Sequence, residues 1–264
     1  MRAEGETQTT GRLLIDATAY AQRVLLQGKE PPWHEATACA NHLRNVQDLL
    51  GSQVALVPLD RMMGDEIRSN PELAAAMRAR SRPGFAVRTL LADAALKRAA
   101  NRLVSTLSVL VRVPIVLQLP SPLTLMHATA SRASPNAGSV SFEEYEEHAE
   151  RASVYFADWL RTFAEAGVAG ILFDERLRAS AAEDYQSVMN VAQHYRWVVG
   201  TRGDTEVRFW TPSVVVPVVD WGSLVGRVAR GPAADRTIFT EVPEGAVPER
   251  VLEVLGVLRA QRAE

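Results

Sequence analysis

Short apolar runs alternate along the chain with longer stretches whose apolar positions recur at helical spacing. Residues 12–27 (RLLIDATAYAQRVLLQ) place Leu13, Ala17, Tyr20, Ala21, Val24 and Leu25 on one helical face, with Gly28 as the stop. EPPW then forces an extended turn, and residues 34–50 (HEATACANHLRNVQDLL) predict a second helix ending near Gly51. QVALVPLD predicts a buried strand with Asp60 at its C-terminal end. A helical region follows from about 62 to 111, interrupted at Ser81–Gly84. VPIVLQL (113–119) is rich in β-branched residues and reads as a strand covered on both faces. It runs into PSPLT, a turn stiffened by Pro120 and Pro122.

The second half repeats the theme. ASRASPNAGS (130–139) predicts a polar loop, and Ser141 with Glu144 forms a capping box opening a helix of roughly 25 residues that Gly167 stops. VAGILFDER predicts a strand ending in charges, and residues 180–194 another helix. RWVVGTRGD (196–204), EVRFW (206–210), VVVPVVDW (214–221) and RTIFTEVPEG (236–245) predict strands, and Pro248 opens a terminal helix. Residues 1–11 read as a frayed tail.

Nearly every predicted strand ends in a polar or charged residue. Strands alternating with helices in this way indicate a parallel sheet with covering helices, whose ligands sit at the C-terminal strand ends. No glycine-rich phosphate loop marks a dinucleotide fold. The expected class is therefore α/β, a (β/α)8 TIM-like barrel, complete or short of one or two strands, since six or seven are legible. Residues 1–50 are expected to be a helical lead-in and 51–264 the barrel domain.

Composition narrows the partners. The 264 residues are 47% apolar, ample for a large core, and the net charge of −2 is spread without a basic stripe, which argues against nucleic acid. A single cysteine, Cys39, excludes a disulfide framework and any metal site needing two thiolates from one chain. The start lacks the apolar core of a signal peptide, and no apolar run reaches membrane-spanning length. The expectation is a cytoplasmic protein acting on a small-molecule substrate, with no cofactor, no metal and no membrane partner. A homodimer or a partner subunit is compatible with a barrel short of a strand.

The candidate chemistry sits at the strand ends. Asp174, Glu175 and Arg176 combine two carboxylates with a cation, a set suited to general acid–base work, although one carboxylate can equally cap the next helix. Asp60 is a second candidate acid, or an N-cap for the helix after it. Gln118 lies inside an apolar strand and is costly to bury without a partner, so it is expected to point inward. Ser121 and Thr124 can line a site or cap a helix. Arg202 in TRGD can grip a carboxylate, although a plain turn explains it equally well; Asp220 with Trp221 offers an acid beside a flat apolar wall, or a tryptophan simply buried in the helix layer; and Glu241 lies near the last strand end. His34, Cys39 and His42 are spaced i, i+5 and i+8, which does not converge on one helical face. His127 follows the PSPLT turn and can reach the site mouth, although a surface or core histidine is the expected reading, whereas His148 and His194 fall on amphipathic helices as solvated residues. G-x-S-x-G, P-loop and H-E-x-x-H motifs do not occur.

LQLPSPLTL (117–125), EEYEEHAERASVYFADWLRTFAEAGVAGILFDE (143–175) and VVVPVVDW (214–221), in that order, resemble segments of the uroporphyrinogen decarboxylase and cobalamin-independent methionine synthase superfamily. The resemblance spans roughly residues 113–255 and implies a barrel with a small-molecule site. It also implies that PSPLT walls the site, with Ser121 standing where the family usually carries the glycine of a G-P-x-T turn. By strand order it implies a substrate-holding aspartate at Asp60. The His-x-Cys zinc ligands of the methyltransferase branches are absent, and the arginine-rich porphyrin-gripping motif has no counterpart around PPWHEATA. The leading expectation is a decarboxylase-like lyase acting on a small carboxylated, aromatic or planar molecule. Methyl transfer without the usual zinc site and a non-catalytic accessory subunit are the alternatives.

Overall fold

The computed structural model describes residues 11–133, 141–227 and 236–263. The first strand, β1 (Leu13–Asp16), lies where a helix was expected. Only α1 (Thr18–Leu25) carries the helical spacing, through Ala21 and Val24. The strand is three apolar residues and an aspartate, so its signal disappears into the periodicity of the helix that follows it. α2 (Ala36–Leu50) ends at Gly51, whose φ of 61° is the left-handed stop that glycine supplies without strain.

β2 (Ala55–Pro58) leads into α3 (Leu59–Ser69), so Asp60 sits in the first helical turn rather than on the strand. α4 (Pro71–Met77), α5 (Phe85–Ala92) and α6 (Ala94–Leu110) complete the helical region. β3 (Ile115–Pro120) then hands over to α7 (Pro122–Ala133), which absorbs residues 130–133 of the expected loop. Residues 134–139 of that loop, like residues 1–10 of the expected tail, lie outside the described residues. The long helix expected from residue 141 is two helices, α8 (Glu143–Glu146) and α9 (Ala149–Leu160), with Phe142 at the first cap in place of Ser141.

β4 (Val168–Asp174), α10 (Gln186–Tyr195), β5 (Val198–Arg202), β6 (Glu206–Trp210), β7 (Ser213–Pro217), α11 (Trp221–Arg227), β8 (Ile238–Glu241) and α12 (Pro248–Ala263) follow. No helix among the described residues is long and apolar enough to cross a membrane.

The fold is mixed α/β. One sheet runs β2-β3-β4-β5-β6-β7 and a second pairs β1 with β8. The expected all-parallel arrangement is broken at β6, which is antiparallel to both neighbours. The reason is length: Gly203–Thr205 is far too short for the helical crossover that a parallel step needs, so the chain turns back as a hairpin. Backbone bonds also join the two sheets. Val219 N donates to the Phe239 carbonyl, and Gln53 N donates to the Leu13 carbonyl. The β1–β8 pairing joins residues on opposite sides of the expected division at residue 50.

Alternation along each strand sorts side chains into layers. Ile115, Leu117 and Leu119 of β3, Ile171 and Phe173 of β4 and Val199 of β5 pack beneath helices α2 to α10. Leu13 and Ile15 of β1 pack with Trp221, Leu224 and residues of α12. The opposite faces meet in a third cluster: Leu14, Leu56, Val116, Leu172, Val207, Phe209, Val216 and Phe239, drawn from seven of the eight strands. β5 brings glycine to this face, and any Cβ at Gly200 would press within 2.7 Å of the Phe209 ring.

Candidate functional site

The same alternation that places Leu14, Val116, Leu172 and Phe239 in the third cluster puts Asp16, Gln118, Asp174 and Glu241 two residues further along on the same faces. Gln118 pairs with Pro58 and Leu172 and so stands two residues below Asp174, whereas register brings the acids level with their neighbours at the strand ends. Asp16 is the partner of Glu241, and Asp174 of Arg202. The apolar cluster is thereby capped at the C-terminal strand ends by a polar layer.

Two arginines tie this layer together. Arg202, 1% exposed, donates to Asp16 Oδ2 at 2.6 Å and to Glu241 Oε2, and its guanidinium lies 4.6 Å from the centre of the Phe239 ring. Arg176 donates to the same Glu241 oxygen at 2.7 Å and clasps Asp174 through Nε and Nη2, the latter at 2.6 Å. A continuous chain Asp16–Arg202–Glu241–Arg176–Asp174 thus spans the ends of β1, β5, β8 and β4. Burial works to raise the Asp16 carboxyl, but Arg202 and the bonds from Thr18 prevail and hold it below its ordinary value. For Arg176, the Asp174 carboxylate outweighs burial and fixes the cation more firmly still.

Asp60 behaves differently. It is half-buried, its Oδ1 is sealed from solvent, and that atom has no hydrogen-bond partner among the described residues. Burial, opposed by the Arg61 backbone N–H and side chain but reinforced by the charges of Asp16 and Asp174, pushes its carboxyl up to about 6. Gln118, 4% exposed, leaves its Oε1 unpartnered, and Arg202 leaves its Nε so. Unpartnered buried polar atoms cost roughly 1–3 kcal/mol each, and these three are among nine such atoms in the described residues.

The remaining nominated residues lie elsewhere. Ser121 is fully buried and caps α7: its hydroxyl accepts from Thr124 N at 3.1 Å, donates its one proton to the Arg178 carbonyl at 2.9 Å and lies within hydrogen-bond distance of Thr124 Oγ1. Thr124 donates weakly to the same carbonyl, and Ser180 Oγ accepts from Leu123 N. Glu175 is one residue out of phase with Asp174 and turns outward, where Tyr185 donates to it at 2.6 Å and Ser180 N at 3.3 Å. Burial and Glu175 together push the Tyr185 hydroxyl above its ordinary value, so it stays a donor. Asp220 is exposed and accepts from Ser223 N as the cap of α11, while Trp221 is buried in the α12 layer. Neither belongs to the polar layer.

The histidines make no site. His127 stacks on Phe142 at 4.0 Å, His194 is exposed beside Tyr195, His148 begins α9 half-buried, and His34 approaches the buried Glu66 at 3.3 Å. Cys39 is fully buried, and burial pushes its thiol up to about 12. No group of three or more His, Cys, Asp or Glu side chains among the described residues could hold a metal ion.

Asp16 is the member that sequence reading missed. The signal was present: LLID is an apolar run ending in an acid, as in ILFD, but it was absorbed into the following helix. Comparisons with protein-family models and with curated protein sequences return no match to this chain.

Proposed function

We propose that the strand-end layer is the acid–base site of a decarboxylase-like lyase on a (β/α)8-type barrel related to the uroporphyrinogen decarboxylase superfamily. The single observation that carries this reading is Asp60, a carboxyl pushed up to about 6 whose sealed Oδ1 has no partner among the described residues, within a layer of otherwise paired charges. The barrel reading is supported by the apolar cluster shared by seven strands and by the backbone bonds that link β1 to residue 53 and residue 219 to β8. One strand of that barrel, β6, runs antiparallel.

The layer holds four carboxylates (Asp16, Asp60, Asp174, Glu241) against two arginines, a balance of −2, or −1 with Asp60 protonated. The layer as a whole therefore repels an anion, and a substrate carboxylate can be received only locally, beside a guanidinium. A substrate carboxylate is best received at Arg176, whose side chain keeps 34% exposure, while the part facing Asp60 and Gln118 is uncharged. In the reaction, the bond from carbon to the carboxylate breaks and CO2 leaves. The electron pair stays on carbon, and the Asp60 O–H delivers a proton to it. Asp60, now a carboxylate, is reprotonated from solvent. Arg202 is buried and engaged on two sides, so it positions Glu241 and Asp16 rather than gripping substrate. Glu175, occupied by Tyr185, has no part in the proton transfer.

The test is release of CO2 from a panel of small aromatic and aliphatic acids, comparing the native protein with Asp60→Asn. The expected outcome is turnover of at least one acid, falling about 10²–10⁴-fold in Asp60→Asn. Equal turnover by the two proteins overturns the assignment. The accessory-subunit reading is favoured by one observation, that Arg176 and Arg202 are already satisfied by the protein's own carboxylates. It would gain from an absence of turnover combined with stable co-purification of a partner chain.

A further inference from the structure

Away from the strand ends, a cleft of about 400 Å³ lies between the α4–α5 turn, α7 and α8. That volume falls in the range of small-ligand sites. The α4–α5 turn contributes Arg78, Arg80 and Arg82 to its lining, and α8 contributes Glu144 and Tyr145. Three arginines against one glutamate leave a local surplus of two positive charges among the charged lining residues. No carboxylate among the described residues pairs with any of the three arginines; Arg80 instead lies over the Phe85 ring at 5.4 Å. The Tyr145 hydroxyl likewise has no hydrogen-bond partner among the described residues.

The sequence sets up this imbalance. Between Glu72 and Asp93 there are four arginines and no acid. The turn that projects the arginines is closed by Pro83 and by Gly84, whose φ of 81° suits glycine. Three guanidinium groups brought round one concavity repel each other unless an anion lies between them. The facing helix decides the kind of anion. Glu143, Glu144, Glu146 and Glu147 cluster on and beside α8, so an extended polyanion crossing the cleft would meet them. A compact group that stays on the arginine side would not.

We propose that this cleft is a binding site for a compact, phosphate-bearing small molecule. Its phosphate is held by Arg78, Arg80 and Arg82 in bidentate fashion, with Tyr145 as an additional hydroxyl donor. The site is independent of the strand-end layer and of the chemistry assigned there.

Calorimetric titration with inorganic pyrophosphate at physiological salt tests it, with citrate and a single-stranded oligonucleotide as comparison ligands. The expected result is saturable binding of pyrophosphate, tighter than of either comparison ligand. The exposed-residue variant Arg80→Gln/Arg82→Gln should weaken it about tenfold or more, and Arg176→Gln should leave it unchanged. Unaltered thermal unfolding of the double variant shows that the loss is local. Absence of saturable binding, equal binding by the double variant, loss of binding in Arg176→Gln, or preference for citrate or the oligonucleotide each overturns the proposal.

Discussion

Two polar regions lie within a few residues of each other at the ends of β3 and β4, and they differ in every respect that matters for chemistry. The outer one, Ser121, Thr124, Ser180, Glu175 and Tyr185, is closed on itself. Ser121 caps a helix, Ser180 receives an amide, and Glu175 takes the Tyr185 hydroxyl. The inner one contains the chain from Asp16 to Asp174 together with Asp60 and, two residues lower on β3, Gln118; among the described residues it leaves Asp60 Oδ1, Gln118 Oε1 and Arg202 Nε without partners. Both regions are polar and both stand at strand ends. What separates them is phase. Asp174 and Glu175 are adjacent, yet one faces the inner layer and the other the helices, because successive strand residues point to opposite sides. A strand-end acid is thus a site candidate only on the face whose lower neighbours form the inner cluster.

The comparison breaks first at Arg202. Replacement by methionine keeps much of the volume but strands Asp16, which is 4% exposed, as a buried charge. The expected loss is about 3–5 kcal/mol of unfolding free energy by denaturant titration, the cost of removing one partner of a buried pair. A loss below about 1 kcal/mol would mean that Arg202 does not organise the inner layer. On the outer side, Tyr185→Phe removes one donor to Glu175 while Ser180 N remains. Stability should fall by about 1–3 kcal/mol, with no change in the pH dependence of any activity. A shifted pH profile in Tyr185→Phe would move the acid–base site to the outer network.

These two faces were unequally legible. The strands that end in Asp174, Arg202 and Glu241 were marked by apolar runs with a charge at the exit, and Gln118 stood out as the only polar residue inside VPIVLQL. Phase was harder. The D-E-R cluster shows three charged residues but not where the pleat begins, so Asp174 and Glu175 were indistinguishable. PSPLT resembled a site wall because a buried serine cap and a ligand-binding serine look alike in sequence; only the bonds to Thr124 and the Arg178 carbonyl separate them. β1 was hidden by its brevity, and with it Asp16. The antiparallel β6 was foreseeable from the three-residue connection after Arg202, had length been weighed above the alternation of strands and helices.

The smallest effect is the most discriminating. Because the Asp60 carboxyl is raised from 3.8 to about 6, the folded protein binds that proton more tightly than the unfolded chain does. Below pH 3.8 the group is neutral in both states and carries no penalty. As pH rises from 3.8 to about 6, the unfolded chain ionises first, and stability falls; above that the penalty is constant. Asp16 contributes with the opposite sign, since its lowered carboxyl stabilises the fold above pH 3.8 and loses that contribution as acidity protonates it. Asp60→Asn should flatten the descending limb between pH 4 and 6 without touching the acid limb. Asp174 is one of the charges that raise Asp60, whereas Glu175, one residue later, is not among them. Asp174→Asn should therefore lower the Asp60 midpoint by less than about one pH unit, read by carboxyl NMR titration, and Glu175→Gln should leave it in place. An equal shift from Glu175→Gln would show that the two faces are electrostatically one, and that phase along β4 does not divide the site from its scaffold.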